Sequence, residues 1–226
     1  MRKPRLLPTL LLLAAPLLPA PLLASNKEVL RDETATFPLE AVRRLKIDVP
    51  VGEVHVEVGA ADRIETRLTL RCEKRAWRCR DRAARLALAP TRGDDDLSLK
   101  VRGYDHGEHH GFHHPDLELR IRVPANLAIA INMGVGELDV AGTSGDLSID
   151  LGVGEARLQL PESAFHSVTV DVGVGEANLS PRSAEVEKHG FLFLGNEVRW
   201  REGSGRANVT IDVGVGEANV RLLPAG

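Results

Sequence analysis

Residues 170–179 read VDVGVGEANL and residues 211–220 read IDVGVGEANV, so ten residues recur almost letter for letter. Glycines at this spacing can let backbone N–H groups approach a phosphate, but a dinucleotide-binding loop needs a third glycine and a following helix. Here the residues after the glycines alternate between polar and apolar, which is the period of a β-strand. The Gly-Val-Gly unit therefore joins strand to strand.

Further copies of the unit lie at residues 131–140 and 149–158, and a degenerate copy lies at 191–200. The glutamates that follow the glycines are separated by 18, 21, 21 and 20 residues; they are Glu137, Glu155, Glu176, Glu197 and Glu217. A period near 20 residues is typical of solenoids, in which each rung buries its apolar side by stacking on its neighbours.

The alternation changes phase across each Gly-Val-Gly unit. If it continued unbroken, Val174 and Glu176 would share the inward face, which is unfavourable for a carboxylate. The glycines therefore predict a corner with backbone angles that a side chain would resist. The predicted corner glycines are Gly134, Gly136, Gly152, Gly154, Gly173, Gly175, Gly214 and Gly216.

These patterns predict an all-β protein in which residues 125–226 form a parallel β-solenoid, or β-helix, of about 20-residue rungs. Residues 25–124 are predicted to be a less regular β-rich part, continuous with the repeats, that contains one short helix at 73–85. The arginines of this helix are interpreted as a solvated face. An early relative of the repeat, Pro50-Val-Gly-Glu53, lies between two alternating strands, and Arg92-Gly-Asp-Asp-Asp96 is interpreted as a hairpin turn.

Residues 1–24 have the pattern of a signal peptide, with Arg2, Lys3 and Arg5 before an apolar stretch. Four prolines interrupt that stretch, which disfavours a spanning helix, and no later stretch is apolar enough to cross a membrane. We expect an exported protein of the periplasm or the cell surface. Removing the three cations from a formal net charge of −3 leaves −6, which disfavours nucleic acid as a partner.

Cys72 and Cys79 are the only cysteines. An even count in an exported protein favours a disulfide, with two buried free thiols as the alternative. Within one helix their Cα atoms would be about 10 Å apart, beyond disulfide reach. A disulfide therefore requires Cys72 to lie at a strand end, before the helix.

The repeated strand-Gly-x-Gly-acid-strand units at 131–140, 149–160, 168–179 and 209–222 resemble those of exported bacterial β-strand-repeat proteins of the adhesin-like type, a family of unknown function. The resemblance implies a β-helical domain of the cell envelope and brings no catalytic motif. The chain departs from the pattern at Phe191-Leu-Phe-Leu194, which is interpreted as core or, if exposed, as a partner site.

The loop at 104–116 is rich in histidine: His106, His109, His110, His113 and His114. Neutral imidazoles suit zinc, copper or nickel, so this loop is a candidate transition-metal site. Glycines and a proline in the loop disfavour a preorganised site, and a solvated connection between strands is the alternative.

If rungs stack in sequence order, the five glutamates form one column, with Asp150 and Asp171 adjacent in a second that Asp212 joins beyond the degenerate rung. The candidate cation ladder is Glu137, Glu155, Glu176, Glu217, Asp150, Asp171 and Asp212. Backbone N–H groups, nearby arginines or a calcium ion could compensate the repulsion.

No nucleophile, base and orienting acid converge in the sequence, so no catalytic residue is assigned. The leading hypothesis is a non-enzymatic structural or interaction module with an unknown envelope or surface partner. The alternative is a periplasmic metal-binding protein that uses the histidine loop. A carbohydrate-active enzyme of the envelope is the third hypothesis.

Overall fold

The structure is a computed structural model that describes residues 26–104, 114–181, 186–191, 194–201 and 203–224. The signal peptide predicted for residues 1–24 lies outside these ranges. Twelve strands, one α-helix and a short 3-10 helix at Glu162–Ala164 make up the described fold. Their bounds are β1 Lys27–Pro38, β2 Arg44–Val58, β3 Arg63–Glu73, α1 Trp77–Arg85, β4 Ala87–Arg92, β5 Asp96–Arg102, β6 Asp116–Val123, β7 Ala128–Ala141, β8 Leu147–Pro161, β9 Phe165–Ser180, β10 Glu187–Phe191, β11 Leu194–Trp200 and β12 Ala207–Leu223.

The strands form one mixed sheet in the order β1-β3-β6-β2-β7-β8-β12-β9-β11-β10, with β5 also paired to β2 and β4 to β5. The first half of β2 pairs with β5 and its second half with β6, so the sheet divides at the bend of β2 into two branches. The inward side chains of both branches belong to a single buried apolar cluster. That shared core holds the bent strands together.

At the predicted glycine corners, the second glycine of each pair has a positive φ angle and the first does not; the second glycines are Gly136, Gly154, Gly175 and Gly216. Gly154 illustrates the geometry. Its φ angle is +148°, and a Cβ atom placed on it would lie 1.8 Å from the carbonyl oxygen of Gly136 on the neighbouring strand. The positive φ and the close approach of the next backbone both exclude a side chain. The same contact recurs at the equivalent glycine of each repeat strand, so the corners stack directly on one another.

The predicted parallel solenoid in sequence order is wrong in two respects. First, β12 lies between β8 and β9, paired in parallel and in register with both. Second, the degenerate copy at 191–200 is not a rung, because β11 runs antiparallel to β9 and forms a hairpin with β10. The sequence period of about 20 residues could not reveal this strand order. Strands with the same corner and the same alternation fit the same neighbouring strands equally well.

The early relative of the repeat is a true equivalent of the later copies. Strand β2 pairs in parallel with β7 from Arg44 to Glu57, and Gly52 lies opposite Gly136. The sheet is therefore continuous across residue 124. The hairpin predicted at 92–96 is confirmed by the antiparallel pairing of β4 with β5.

Helix α1 is shorter than predicted, because Glu73 still pairs with Lys27 as the last residue of β3. The predicted disulfide is confirmed. Cys72 lies in β3 and Cys79 in α1, with their Cα atoms 6.0 Å apart. The bridge fixes the helix to the sheet. Among the described residues, no helix is long and apolar enough to cross a membrane.

Candidate interaction surface

Five exposed valines form a ridge along the stacked corners. Each valine lies between the two glycine positions of its corner, where the change of phase turns it away from the core. In sheet order they are Val51, Val135, Val153, Val215 and Val174. Their exposed fractions run from 41% to 46%. Four strand spacings make this valine ridge roughly 19 Å long.

A column of glutamates follows the valine ridge on one side. In sheet order it contains Glu53, Glu137, Glu155, Glu217 and Glu176. Arg157 neutralises part of it: its guanidinium contacts Glu155 and lies 3.2 Å from Glu137 Oε2. The carboxylate of Glu217 accepts a hydrogen bond from Asn219 Nδ2 at 2.8 Å. The glutamate side of the ridge is therefore partly compensated.

A second acidic column runs along the other side of the ridge. In sheet order it contains Asp48, Asn132, Asp150, Asp212 and Asp171. Asp48 accepts a hydrogen bond from Lys100 Nζ at 2.6 Å. In the described part of the chain, no cation pairs with the other three aspartates. Partial burial raises the pKa of Asp212, and the carboxylates of Asp171 and Asp150 raise it further.

The order of the predicted cation ladder is corrected by the fold. Glu217 lies between Glu155 and Glu176, and Asp212 lies between Asp150 and Asp171. Glu197 leaves the glutamate column altogether, because it stands opposite Asp171 in an antiparallel pair. Its carboxylate contacts Arg199 instead.

Within the residues that the structure describes, no three side chains of histidine, cysteine, aspartate or glutamate are grouped so that they could hold a metal ion. Calcium at the ladder stays a prediction. Four histidines of the candidate transition-metal loop lie outside the described residues: His106, His109, His110 and His113. His114 is described and is exposed.

Five apolar residues between 191 and 200 are grouped from the sequence as core or as a partner site: Phe191, Leu192, Phe193, Leu194 and Trp200. Residues 192–193 lie outside the described ranges. Trp200, at 2% exposure, belongs to the core. Two clefts of several hundred Å³ lie in the described structure. One, of about 350 Å³, lies over β1, β3 and β6, where Arg67 and Arg122 pair with Asp32 and Glu57. The other, of about 300 Å³, lies between β9 and the β10–β11 hairpin.

Sequence reasoning predicted the corners but missed the valine ridge. The signal was present, because the residue between the two glycines is valine in every intact copy. If the corner served only to change the direction of the strand, any outward side chain could replace valine at that position.

Asp212→Asn is expected to stabilise the protein at neutral pH. The pKa of Asp212 is raised in the folded state, so deprotonation costs stability as pH rises above the ordinary value of 3.8, and the cost is fully present at pH 7. Each flanking aspartate contributes up to about 1 kcal/mol of repulsion before salt screening. Thermal melts at pH 7 and pH 3 should show a higher Tm for the variant at pH 7 and no difference at pH 3.

Asp48→Asn is the matched control, because this aspartate lies in the same column but pairs with Lys100. It should leave the Tm unchanged or lower it. A lower Tm for Asp212→Asn than for wild type at pH 7 would contradict the expected repulsion between Asp212 and its flanking aspartates.

The family model for Toast_rack_N, the N-terminal domain of toast_rack (DUF2154), matches residues 25–180. That is more than half of the chain. The protein belongs to the Toast_rack_N family. The matched segment ends at the last residue of β9, so β12 lies outside it although the fold places β12 between β8 and β9.

A solved structure supports the fold of this Toast_rack_N protein. It is a putative cell adhesion protein from Clostridium sporogenes ATCC 15579, 16% identical, with a TM-score of 0.58 over 87% of this chain and 100% of that one. A putative adhesin from Parabacteroides distasonis ATCC 8503 is 11% identical over 84% of this chain and 70% of that one. Its TM-score is 0.25. No curated protein matches this chain.

Proposed function

We propose that this Toast_rack_N protein is a non-enzymatic, adhesin-like interaction module of the cell envelope that binds its partner along the valine ridge. One observation carries the proposal: five exposed valines stand in register between two acidic columns. Contiguous apolar surface on a folded protein is characteristic of an interaction site.

The shape of the ridge favours binding over simple packing. Stacked valines also stabilise one another along the ladder, so strand packing alone explains part of the apolar character of the ridge. The positions on both sides of each valine, however, are glycines, except at Pro50 in β2. Without neighbouring side chains, both flanks of the ridge are open to a partner.

The charges beside the ridge define the partner's chemistry. The aspartate column has three carboxylates with no cation partner in the described structure, and the glutamate column is only partly neutralised. A partner that places apolar side chains on the valines and Lys or Arg on the slopes would bury the apolar area and neutralise both columns. A second copy of the same face would place acid against acid, so we propose a cationic amphipathic peptide segment.

Other features support an envelope protein without enzymatic activity. The Cys72–Cys79 disulfide is suited to an oxidising compartment, and the leader pattern at 1–24 favours export. The charged side chains that line the cleft over β1, β3 and β6 each have an ion-pair partner. The Clostridium structure that shares the fold is described as a cell adhesion protein, in accord with this role.

The ridge is tested with two peptides, one of eight alternating Leu and Lys residues and one of eight Lys residues. Val135→Thr/Val153→Thr/Val215→Thr keeps the β-branched shape but removes the apolar surface. We expect fluorescence anisotropy to show at least about tenfold weaker binding of the Leu-Lys peptide to this variant, since three methyl contacts are lost. Binding of octalysine should not change.

Asp150→Asn/Asp171→Asn/Asp212→Asn should weaken the binding of both peptides and reduce its dependence on salt. Val29→Thr/Val58→Thr is the matched control, because both valines are exposed but lie off the ridge; it should behave as wild type. Failure of wild type to bind the Leu-Lys peptide, or equal loss in the control, would overturn the proposal. Capture from envelope extract by wild type, but not by the valine variant, would extend it to a physiological partner.

A further inference from the structure

Helix α1 carries an exposed tryptophan on a strongly basic segment. Residues 73–86 contain six cations and two acids, in a chain that is acidic overall. Trp77 is 65% exposed, whereas the other tryptophan, Trp200, is 2% exposed. Leaving so much aromatic surface in water is unfavourable, so its position needs a reason.

The spacing of the buried residues along the helix places Trp77 on its outer face. The inward stripe consists of Ala76, Cys79, Ala83 and Leu86, which are all buried. Trp77 shares the opposite stripe with Ala84 and Arg85, seven and eight residues further on, and all three are exposed. The tryptophan is therefore not a core residue that has failed to pack.

One cation contacts the exposed ring and two more precede the helix. The guanidinium of Arg78 lies 5.2 Å from the centre of the Trp77 ring, and Lys74 and Arg75 are exposed beside the start of the helix. Arg80 is different, because it pairs with Glu28 on β1. Among the described residues, no carboxylate pairs with Lys74, Arg75 or Arg78, which lie within three residues of Trp77 in the chain. The disulfide to β3 holds this segment in place.

We propose that this surface, Lys74, Arg75, Trp77 and Arg78, docks the protein on an anionic phospholipid bilayer. An indole ring prefers the boundary between headgroups and acyl chains, and each Lys or Arg near an anionic surface adds an electrostatic attraction. An anionic bilayer offers negative charge to the cations and an apolar layer to the tryptophan ring. A soluble polyanion would offer only the negative charge. The docking surface is separate from the valine ridge and does not depend on it.

The test is co-sedimentation with vesicles of phosphatidylcholine alone and with 30 mol% phosphatidylglycerol. Wild type should bind only the anionic vesicles and be released by high salt. Arg75→Glu/Arg78→Glu should weaken binding by at least about tenfold, because two attractions become repulsions. Trp77→Ala should weaken it about tenfold while leaving its dependence on salt unchanged.

Arg43→Glu/Arg206→Glu is the matched control, since it changes the net charge equally at two exposed arginines elsewhere in the fold. It should bind like wild type, and thermal melts should show that all variants stay folded. Brominated acyl chains should quench Trp77 in wild type, with the buried Trp200 as the unquenched background seen in Trp77→Ala. Binding to neutral vesicles, no binding to anionic vesicles, equal loss in the control, or binding without quenching would each overturn the proposal.

Discussion

Gly154→Val is expected to abolish the native fold or to lower its Tm by roughly 10 °C or more. A Cβ atom at this corner would overlap the carbonyl oxygen of Gly136, and the φ angle of +148° is strained for any side chain. Backbone strain and overpacking together cost about 4 kcal/mol or more, out of a total stability of roughly 5–15 kcal/mol. Thermal denaturation followed by circular dichroism measures the effect.

Two controls separate the causes of this loss. Gly195 also has a positive φ, +62°, but an added Cβ would meet nothing within 4 Å. Gly195→Ala should therefore cost only about 1 kcal/mol, whereas Gly154→Ala should cost clearly more. Thr169→Val, at an outward strand position, should change stability by less than about 0.5 kcal/mol. Equal Tm values for Gly154→Val and Thr169→Val would contradict the stacked corners.

The local features of this fold could be predicted from the sequence. The alternation, its change of phase and the flanking glycines identify the corners, because each depends on a few neighbouring residues. The position of Cys72 was predictable for the same reason: seven residues of helix are too long for a disulfide to Cys79, so a bridged Cys72 had to precede α1. These inferences need only chain geometry.

The order of the strands could not be predicted, because it depends on which of several equivalent partners each strand takes. Strands β9 and β12 carry nearly the same ten residues, so either one fits against β8 in the same register. The antiparallel run of β11 also escaped prediction, since its weak resemblance to the repeat suggested another parallel rung. The valine ridge was missed for a related reason: its residues become one surface only when five distant strands are aligned.

Deleting residues 203–226, which removes β12, is expected to eliminate cooperative unfolding. The strand contributes six inward side chains that are at most 3% exposed: Val209, Ile211, Val213, Ala218, Val220 and Leu222. Their burial is worth roughly 10 kcal/mol, comparable to the stability of a whole domain. Thermal and urea denaturation would show a chain without a cooperative transition, although the segment matched to the Toast_rack_N family stays intact. Thr210→Ala, an outward change on the same strand, should cost less than about 0.5 kcal/mol.

Cross-linking in the full chain tests the strand order that this expectation requires. Thr210 lies opposite both Ser148 on β8 and Thr169 on β9. Cysteine pairs at 148 and 210, or at 169 and 210, should therefore form disulfides, while 148 and 169 are two strand spacings apart, about 10 Å, which is too far. If β9 could replace β12 on β8, the truncated chain would fold and the 148–169 pair would cross-link in it. That outcome would show that the repeated sequence alone, rather than the position of β12, determines which strands pair.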